Sequence, residues 1–270
     1  METTMDRDIV LFDMDGTLTE ARQAFSQDLS SPLWDLSQVA DVGIVTGSDL
    51  NYVKEQMSTL IDSHSIRYCL HLLPCNGTKH LVPPKSSKED HKLVHEVSME
   101  GEIGKTNYRN LIEVLLGLQS YAAKEYDIPL TGHFISPRGS MINWSPSGRL
   151  AGDKERARFK KFDKEWGFRR QFLNKLGNEI SDIGLYDEIT VKLGGDTSFD
   201  IYPTGWDKTY ALRHFGGRNV WFVGDRARSP KGNDYEIFKA CEPRSFHTTS
   251  PEQTIEVIKK INNLIRGKWQ

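Results

Sequence analysis

The sequence predicts an α/β fold in which a parallel sheet is interrupted by an inserted α+β module. Short apolar runs that end at small or acidic residues indicate buried parallel strands, and helical patterns separate them in the first and last thirds of the chain. In the middle third this alternation stops, and pairs of alternating strands surround tight turns beside amphipathic helices. We therefore expect an α/β core built from both ends of the chain, with an antiparallel sheet and its helices inserted between them.

The individual elements follow from hydrophobic period and from turn residues, in chain order. In the first third we expect strands at 9–12, 42–45 and 68–74, a serine-capped helix entry at 30–34, a helix over about 50–60, and a hairpin return at 80–82. In the middle we expect a helix at 107–126, strands at 133–136 and 140–144, one helix or two over 153–180, and a hairpin at 188–202. In the last third we expect helices at 206–216, 235–238 and 251–265, and strands at 219–224 and 245–248.

A change of composition marks the start of the inserted module. Residues 83–88 are polar and begin with two prolines, which is typical of a linker. We place the domain bounds at 1–82 for the first part of the core, 83–204 for the inserted module, and 205–270 for the second part of the core.

Composition and charge restrict the classes of function. The chain has 270 residues, 37% of them apolar and 27% charged, with a formal net charge of −2. Such a small net charge produces no overall field that would recruit nucleic acid or a membrane surface. No apolar run is long enough for a membrane span, and the polar N-terminus does not fit a signal peptide, so we expect a cytoplasmic protein.

The first predicted strand leads directly into two carboxylates. Asp13 and Asp15 follow the apolar run of residues 9–12, and Gly16 ends the strand after them. At the carboxyl edge of a parallel sheet, where ligands bind, such a pair suits a magnesium site and a phosphate-accepting nucleophile. A plain acidic turn is the alternative, and we favour the site because Gly-Thr-Leu completes the pattern.

Two further strand ends carry polar groups that suit the same chemistry. Hydroxyl and glycine residues after the second strand can bind an anion at the following helix N-terminus, although a simple capped turn is equally compatible with that stretch. Acidic and amide residues follow the fourth strand, and Lys208 lies before it, where it could offset charge on a phosphorylated aspartate. The residues after these two strands are Thr46, Gly47 and Ser48, and Asp225, Asn233 and Asp234. Neighbouring carboxylates repel unless a cation lies among them, so the set predicts bound Mg²⁺.

The inserted module contains a basic segment. Residues 138–175 hold eleven Lys or Arg and four Asp or Glu, a balance of +7 in a chain of net charge −2. For five cations of the predicted helix we favour a solvated helix face, namely Lys154, Arg158, Lys160, Lys161 and Lys164. Arg138 and Arg149 flank turns at strand ends, where we favour a functional role over a solvated surface.

Together these motifs resemble those of the haloacid dehalogenase superfamily. The matching residues are Asp13 to Thr17, the hydroxyls after the second strand, Lys208, and Gly224-Asp225 with Gly232-Asn233-Asp234. The inserted module is similar to the type IIB cap of that superfamily. The resemblance implies a haloacid-dehalogenase-like Rossmannoid core with a parallel sheet, plus an inserted α+β cap.

Longer strings resemble the eukaryotic-type phosphomannomutase family. They cover residues 12–19, 46–49, 140–149, 198–208 and 232–238, in order across nearly the whole chain. The strings in the cap are more specific than the superfamily motifs, because they belong to the substrate pocket. The loop from Asp225 to Asp234 departs from the family, since it is one residue longer and carries the added cations Arg226, Arg228 and Lys231.

The resemblance implies a role for each matching residue. Asp13 would be the nucleophile that forms an aspartyl phosphate and would also bind magnesium, and Asp15 would be the general acid/base, with its backbone carbonyl on the metal. The metal site would be completed by Asp225, with Asn233 and Asp234 nearby. Thr46, Gly47, Ser48 and Lys208 would hold the transferring phosphoryl group. The sugar phosphate would be bound by Arg22, Arg138, Arg149, Arg156, Ser198 and Asp200.

The implied activity is that of an isomerase that interconverts mannose 1-phosphate and mannose 6-phosphate, with glucose phosphates as further candidate substrates. The resemblance also implies Mg²⁺ and a hexose 1,6-bisphosphate activator. It further implies a place in GDP-mannose biosynthesis and a homodimer formed through the caps. We expect no nucleic-acid or membrane partner. The main alternative is a sugar-phosphate phosphatase of the same superfamily. A non-catalytic sugar-phosphate-binding protein is less favoured, because it need not retain the nucleophile.

Overall fold

Two compact units make up the chain. The computed structural model describes residues 7–21, 23–63, 65–230 and 232–267. The first unit combines the chain up to Glu96 with the chain from Trp206 onward, and the second unit is Val97–Gly205. An inserted module between two halves of a core is therefore present, as the sequence predicts.

The strands and helices, in chain order, have the following bounds. The strands are β1 Asp8–Phe12, β2 Ala40–Val45, β3 Leu70–Leu73, β4 Lys79–Val82, β5 Lys92–Glu96, β6 Ile135–Pro137, β7 Ile142–Trp144, β8 Ile189–Gly194, β9 Ser198–Pro203, β10 Val220–Gly224 and β11 Ser245–His247. The α-helices are α1 Ser30–Ser37, α2 Leu50–Gln56, α3 Met99–Ile103, α4 Lys105–Glu125, α5 Asp153–Trp166, α6 Phe168–Asp182, α7 Tyr235–Ala240 and α8 Pro251–Gly267. The 3₁₀ helices include Cys75–Gly77 and Lys208–Phe215.

The first unit is built on a seven-stranded sheet with the order β11-β10-β1-β2-β3-β4-β5. The strands from β11 to β3 are parallel, and β4 and β5 are antiparallel. This order places β1 between β10 and β2, so the three strand ends that carry the predicted site residues are neighbours. The α/β fold class with a parallel sheet is thereby confirmed.

Both faces of this sheet are covered, which explains why β1 is apolar without alternation. Val10 and Phe12 pack with α1, α2 and α8 on one face, while Ile9 and Leu11 pack with α7 and the 3₁₀ helix Lys208–Phe215 on the other. All four side chains are fully buried. Each contributes about 1.5–3 kcal/mol through removal from water, so β1 is a rigid platform for the residues that follow it.

The predicted start of the inserted module differs from the observed one. The sequence-based boundary after residue 82 assigns Lys92–Glu96 to the insertion, whereas this segment is β5 and pairs with β4 at the sheet edge. Four of its five residues are exposed. An exposed edge strand needs no continuous apolar run, so the sequence contains no pattern there that would identify a strand of the core.

The second unit has a four-stranded antiparallel sheet with the order β6-β7-β9-β8. Trp144 of β7 and Phe199 of β9 point to one face, where their rings stack 4.9 Å apart and join the buried residues of α4 and α6. Asn143, Ser198 and Asp200 alternate with them and lie on the other face. The antiparallel sheet with helices on one face confirms the α+β module.

One helix boundary that the sequence left open is fixed in the structure, and one predicted helix cap is absent. The sequence predicts one helix or two over residues 153–180, and the structure has two, because Gly167 adopts a left-handed conformation between α5 and α6. The prediction that serine caps α1 is wrong, since its N-cap position is Leu29, which makes no side-chain cap.

None of the described helices is long and apolar enough to cross a membrane.

Candidate active site

The carboxyl end of β1 presents Asp13 and Asp15 on a tight turn. The backbone N–H of Asp13 donates to Val223 O at 2.9 Å, which ties this residue to β10 one position beyond the strand. Gly16 then turns the chain at φ +85°, and a Cβ atom at this position would lie 2.6 Å from Asp225 Oδ2. The glycine therefore serves both the turn and the close approach of the carboxylate that follows β10.

Three carboxylates and one lysine form the centre of the site. Oxygens of Asp13, Asp225 and Asp234 lie within 4.8 Å of one another. Lys208 is fully buried beneath them and donates to Asp13 and to Asp234 Oδ1, the latter at 2.5 Å. The 3₁₀ helix that begins at this lysine is capped by Asp207, whose carboxylate accepts from Thr209 N at 2.8 Å. The structure thus brings together residues separated by more than 200 positions in the chain.

The pKa values in this cluster are shifted because three neighbouring carboxylates share one buried lysine. Burial raises the pKa of Asp13 well above its usual range, Asp234 raises it further, and Lys208 opposes the shift. Burial and Asp234 also raise the pKa of Asp225, to about 6. Burial alone would lower the pKa of Lys208, but its contacts with Asp13 and Asp234 raise it, so the lysine stays charged. The cluster therefore has excess negative charge that a bound cation would relieve.

A divalent metal fits these residues. Asp225 Oδ1 and Asn233 Oδ1 are buried, and neither has a hydrogen-bond partner among the described residues. Carboxylate and amide oxygens without nitrogen or sulfur ligands are the set that Mg²⁺ prefers. The carboxylate of Asp15 does not belong to this cluster and instead accepts a hydrogen bond from the Tyr52 hydroxyl at 3.0 Å.

The loop after β2 is held in shape by its own hydrogen bonds. Thr46 Oγ1 accepts from Ser48 N at 3.1 Å, which curls the chain around Gly47 ahead of α2. Asp49 caps that helix by accepting from Tyr52 N at 3.0 Å. The loop is thus a capped turn, which is compatible with both alternatives from the sequence, and its hydroxyl and N–H groups lie at the end of the strand that pairs with β1.

A buried asparagine joins this loop to the segment that carries Lys208. Asn76 adopts φ +64°, donates its backbone N–H to Thr46 O at 2.8 Å, and donates its side-chain amide to Trp206 O at 3.1 Å. Asn76 is not among the predicted site residues, because an Asn-Gly pair after a strand indicates only a turn.

In the second unit, predicted residues gather around Asn143 on the polar face of the sheet. The Asn143 amide nitrogen donates to Asp200 Oδ1 at 2.7 Å and to Ser198 Oγ at 3.0 Å. Its oxygen accepts from Arg149 at 3.3 Å. The structure therefore joins Arg149, Ser198 and Asp200, and it adds Asn143, which the prediction missed although strand alternation places it opposite Ile142 and Trp144.

The remaining arginines differ in their placement. Arg156 on α5 donates to Thr197 Oγ1 at 3.4 Å, beside Ser198, and so lies near the Asn143 network. Arg138 follows β6, and its backbone N–H donates to Met141 O at 2.8 Å across the turn to β7. Arg22 lies outside the described residues.

The loop after β10 is anchored on the acidic cluster. The backbone N–H of Arg226 donates to Asp234 Oδ2 at 3.0 Å, and its guanidinium lies 3.8 Å from Asp225 Oδ2. A Cβ atom at Gly232 would overlap the Arg226 carbonyl, so the loop closes tightly there. Lys231 lies outside the described residues.

Comparison with known proteins agrees with this geometry. The family model described as eukaryotic phosphomannomutase matches residues 29–264. Among curated relatives, the phosphomannomutase of Schizosaccharomyces pombe is 37% identical over 97% of both chains. That of Saccharomyces cerevisiae is 35% identical over 95% of this chain and 94% of its own.

Solved structures show the same fold at low sequence identity. An IMP-nucleotidase of Plasmodium falciparum is 12% identical, with a TM-score of 0.67 over 96% of this chain and 67% of its own. A trehalose-6-phosphate phosphatase related protein is 15% identical, with a TM-score of 0.56 over 97% of this chain and 100% of its own. By sequence, and in agreement with this fold, the chain belongs to the eukaryotic phosphomannomutase family.

Proposed function

We propose that this protein interconverts mannose 1-phosphate and mannose 6-phosphate through an aspartyl phosphate on Asp13, with glucose phosphates as further substrates. The observation that carries the proposal is the contact of buried Lys208 with Asp13 and Asp234 inside a three-carboxylate cluster. A carboxylate that must accept a phosphoryl group needs nearby positive charge to stabilise the transition state. Lys208 supplies a permanent part of that charge.

In the first half of the proposed reaction, Asp13 takes a phosphoryl group from a hexose 1,6-bisphosphate activator. An Asp13 oxygen forms a bond to phosphorus while the bond from phosphorus to the sugar oxygen breaks. Asp15 donates a proton to that leaving oxygen. In the second half, Asp15 removes the proton of the attacking sugar hydroxyl, and the phosphoryl group moves from Asp13 to the sugar.

The proposed assignment of Asp15 rests on its separation from the metal-binding group. Its carboxylate lies outside the three-acid cluster and accepts from the Tyr52 hydroxyl, which fixes its orientation. A general acid/base must be free to gain and lose a proton, so a carboxylate outside the metal-binding group is better suited to this role than Asp225 or Asp234.

Asp13, Asp225 and Asp234 would hold Mg²⁺, with Asn233 beside them and the Asp15 backbone carbonyl as a further ligand. Bound Mg²⁺ would neutralise phosphoryl oxygens during transfer. Thr46, Gly47 and Ser48 would offer hydroxyl and N–H groups to the same phosphoryl oxygens.

The second phosphate of the substrate would be bound by arginines. Arg138, Arg149 and Arg156 of the second unit are proposed for this role, together with Arg22. Ser198 and Asp200 would bind sugar hydroxyls. The hydrogen-bonded group around Asn143 supports this assignment, because it brings a guanidinium, a hydroxyl and a carboxylate together on one sheet face.

A homodimer formed through the second unit is a further part of the proposal. An open groove runs between α4 and α6, lined by Val114, Leu118, Tyr121, Lys175 and Ile183 among others. Tyr121, which lines this groove, is 41% exposed, so the groove presents apolar surface. Light scattering after size exclusion should report twice the monomer mass, and Tyr121→Glu should lower it.

The test of the proposed activity supplies purified protein with mannose 1-phosphate, Mg²⁺ and a trace of the 1,6-bisphosphate, and measures 6-phosphate and free phosphate together. We expect 6-phosphate as the main product and a strict need for the bisphosphate. Free phosphate as the main product would instead establish a phosphatase. Binding of mannose 1-phosphate without any product would establish a binding protein.

A further inference from the structure

Asn143 is a buried amide at the centre of the polar face of the four-stranded sheet. The pairing of β7 with β9 sets it directly opposite Asp200, and only 4% of the residue is exposed. Cross-strand neighbours on one face lie close enough for their side chains to interact. The resulting contacts run from its nitrogen to Asp200 and Ser198 and from its oxygen to Arg149.

The chemistry of the neighbours fixes the orientation of this amide. A carboxylate such as that of Asp200 can only accept hydrogen bonds, and the guanidinium of Arg149 can only donate them. The nitrogen of Asn143 must therefore face Asp200 and its oxygen must face Arg149. No other orientation satisfies both charged partners.

A neutral amide holds these two charged groups without neutralising either. Each residue therefore keeps its charge, and the hydrogen bond to the amide uses one of the five donors of the Arg149 guanidinium and one acceptor site of the Asp200 carboxylate. Gly194 limits Asp200 from the neighbouring strand, since a Cβ atom there would lie 2.7 Å from its carboxylate oxygens. Asp200 is thus confined between Asn143 and β8.

We propose that Asn143 is a positioning residue for the hexose phosphate, a role that rests on the function proposed above. It aims the Arg149 guanidinium at the phosphate and holds Ser198 and Asp200 for the sugar hydroxyls, while taking no part in phosphoryl transfer. Loss of a hydrogen bond to a charged group changes affinity by about tenfold to a hundredfold. Removal of the amide should therefore weaken substrate binding and leave the chemical step intact.

The experiment compares Asn143→Ala and Asn143→Asp with the wild-type protein under the mutase assay conditions. In Asn143→Ala we expect the KM for mannose 1-phosphate to rise about tenfold to a hundredfold, with kcat within about threefold. Thr190→Ala is the matched control, because Thr190 lies on β8 of the same sheet and its hydroxyl pairs with Thr204 at 3.2 Å instead of with Asn143. This control should keep the wild-type KM.

The aspartate variant tests whether the residue between Asp200 and Arg149 must be uncharged. Asn143→Asp keeps an acceptor for Arg149 but places a second carboxylate beside Asp200. Calorimetry with inorganic phosphate, in the absence of Mg²⁺, should show weaker binding to both variants, because alanine no longer positions Arg149 and aspartate neutralises its guanidinium. The KM for mannose 1-phosphate should rise in both variants.

Several results would overturn the inference. Wild-type turnover with an unchanged KM in Asn143→Ala would remove the role of Asn143 and leave the proposed function standing. If the wild-type protein neither binds nor converts mannose 1-phosphate, the proposed function fails and this role fails with it. If circular dichroism shows that Asn143→Ala is unfolded, a folded Asn143→Asp with wild-type KM would equally refute the proposal.

Discussion

The interiors of the two units differ in what they bury. The first unit encloses charge, since Lys208, Asp13 and Asp234 are each at most 5% exposed. The second unit encloses rings, because Trp144, Phe168, Phe172 and Phe199 are fully buried and pack against one another. Its polar group, built around Asn143, lies on the opposite sheet face.

The difference follows from the two kinds of sheet. A parallel sheet covered on both faces leaves its strand ends as the place for polar chemistry, and loops from three neighbouring strands supply charged groups there. An antiparallel sheet with helices on one face leaves the other face available for ligands. The polar groups therefore lie at strand ends in the first unit and on one sheet face in the second.

The largest effect should come from removing the proposed nucleophile. Asp13→Asn keeps the shape of the side chain but cannot form an aspartyl phosphate, so we expect kcat to fall by about 10⁴-fold or more. A coupled assay for the 6-phosphate product measures it. Asp35→Asn, an exposed acid on α1, should keep full activity. Residual activity within tenfold of wild type would contradict the role of Asp13.

The second prediction concerns the stability of the charged interior. Lys208→Met leaves Asp13 and Asp234 without their buried cation, and breaking such a pair destabilises a protein by about 3–5 kcal/mol. Urea unfolding of the metal-free protein should show this loss, and Mg²⁺ should restore part of it. Lys239→Met removes an exposed lysine that pairs with Glu242 and should leave unfolding unchanged. Equal midpoints for both variants would contradict the prediction.

A third prediction uses the half-buried His71 and the buried His80 of the first unit. His71 Nδ1 and His80 Nε2 share a hydrogen bond of 2.9 Å. Burial lowers the pKa of both to about 3, with further lowering of His71 by Arg218 and of His80 by His214. Unfolded histidines titrate near 6.5. The unfolded chain therefore takes up protons first, and stability present above pH 6.5 is lost as the pH falls toward 3.

Each histidine should account for about 1–2 kcal/mol of that loss by pH 5. In His80→Gln the free energy of unfolding should therefore fall less steeply between pH 7 and pH 5 than in the wild type. Asn263→Ala, which changes an exposed and non-titrating side chain of α8 in the same unit, should leave the slope unchanged. An unchanged slope in His80→Gln would show that the His80 ring of the wild-type protein takes up its proton while the protein is still folded.

We expect the smallest effect from a substitution of Arg226, which lies at the exposed edge of the carboxylate cluster. The Arg226 guanidinium competes with a cation for Asp225, so Arg226→Gln should tighten Mg²⁺ binding by about twofold to fivefold, as for an exposed ion pair. Calorimetric titration with Mg²⁺ measures this change. Arg228→Gln changes a neighbouring exposed cation of the same loop and provides the control. Weaker binding in Arg226→Gln would reverse the assigned role.

The charged centre could be predicted from the sequence because its signals are local. Asp13 and Asp225 each end an apolar run, and Lys208 opens a helical pattern, so each is recognisable from its immediate neighbours. A parallel sheet then brings the strand ends together without further information. The exposed edge strand β5 lacked any such pattern and was therefore assigned to the wrong unit.

The connecting residues could not be predicted, because their partners are distant in the chain. Asn143 contacts Asp200 across 57 positions, and Asn76 contacts Trp206 across 130. Their roles depend on strand register and on a left-handed turn, which single-sequence patterns do not determine. Asparagine is also common in turns for local reasons, so its presence carries little signal.

The burial of Asn76 and Asn143 affects the choice of expression system for this protein. Asn76-Gly77-Thr78 and Asn143-Trp144-Ser145 are the sites in the chain that match the N-glycosylation acceptor pattern. Both side chains are buried, and both amide nitrogens are engaged in hydrogen bonds. A glycan attached to the unfolded chain would replace an amide hydrogen and would not fit the folded interior. Production through a secretory route should therefore yield misfolded material, whereas a bacterial cytosol should not.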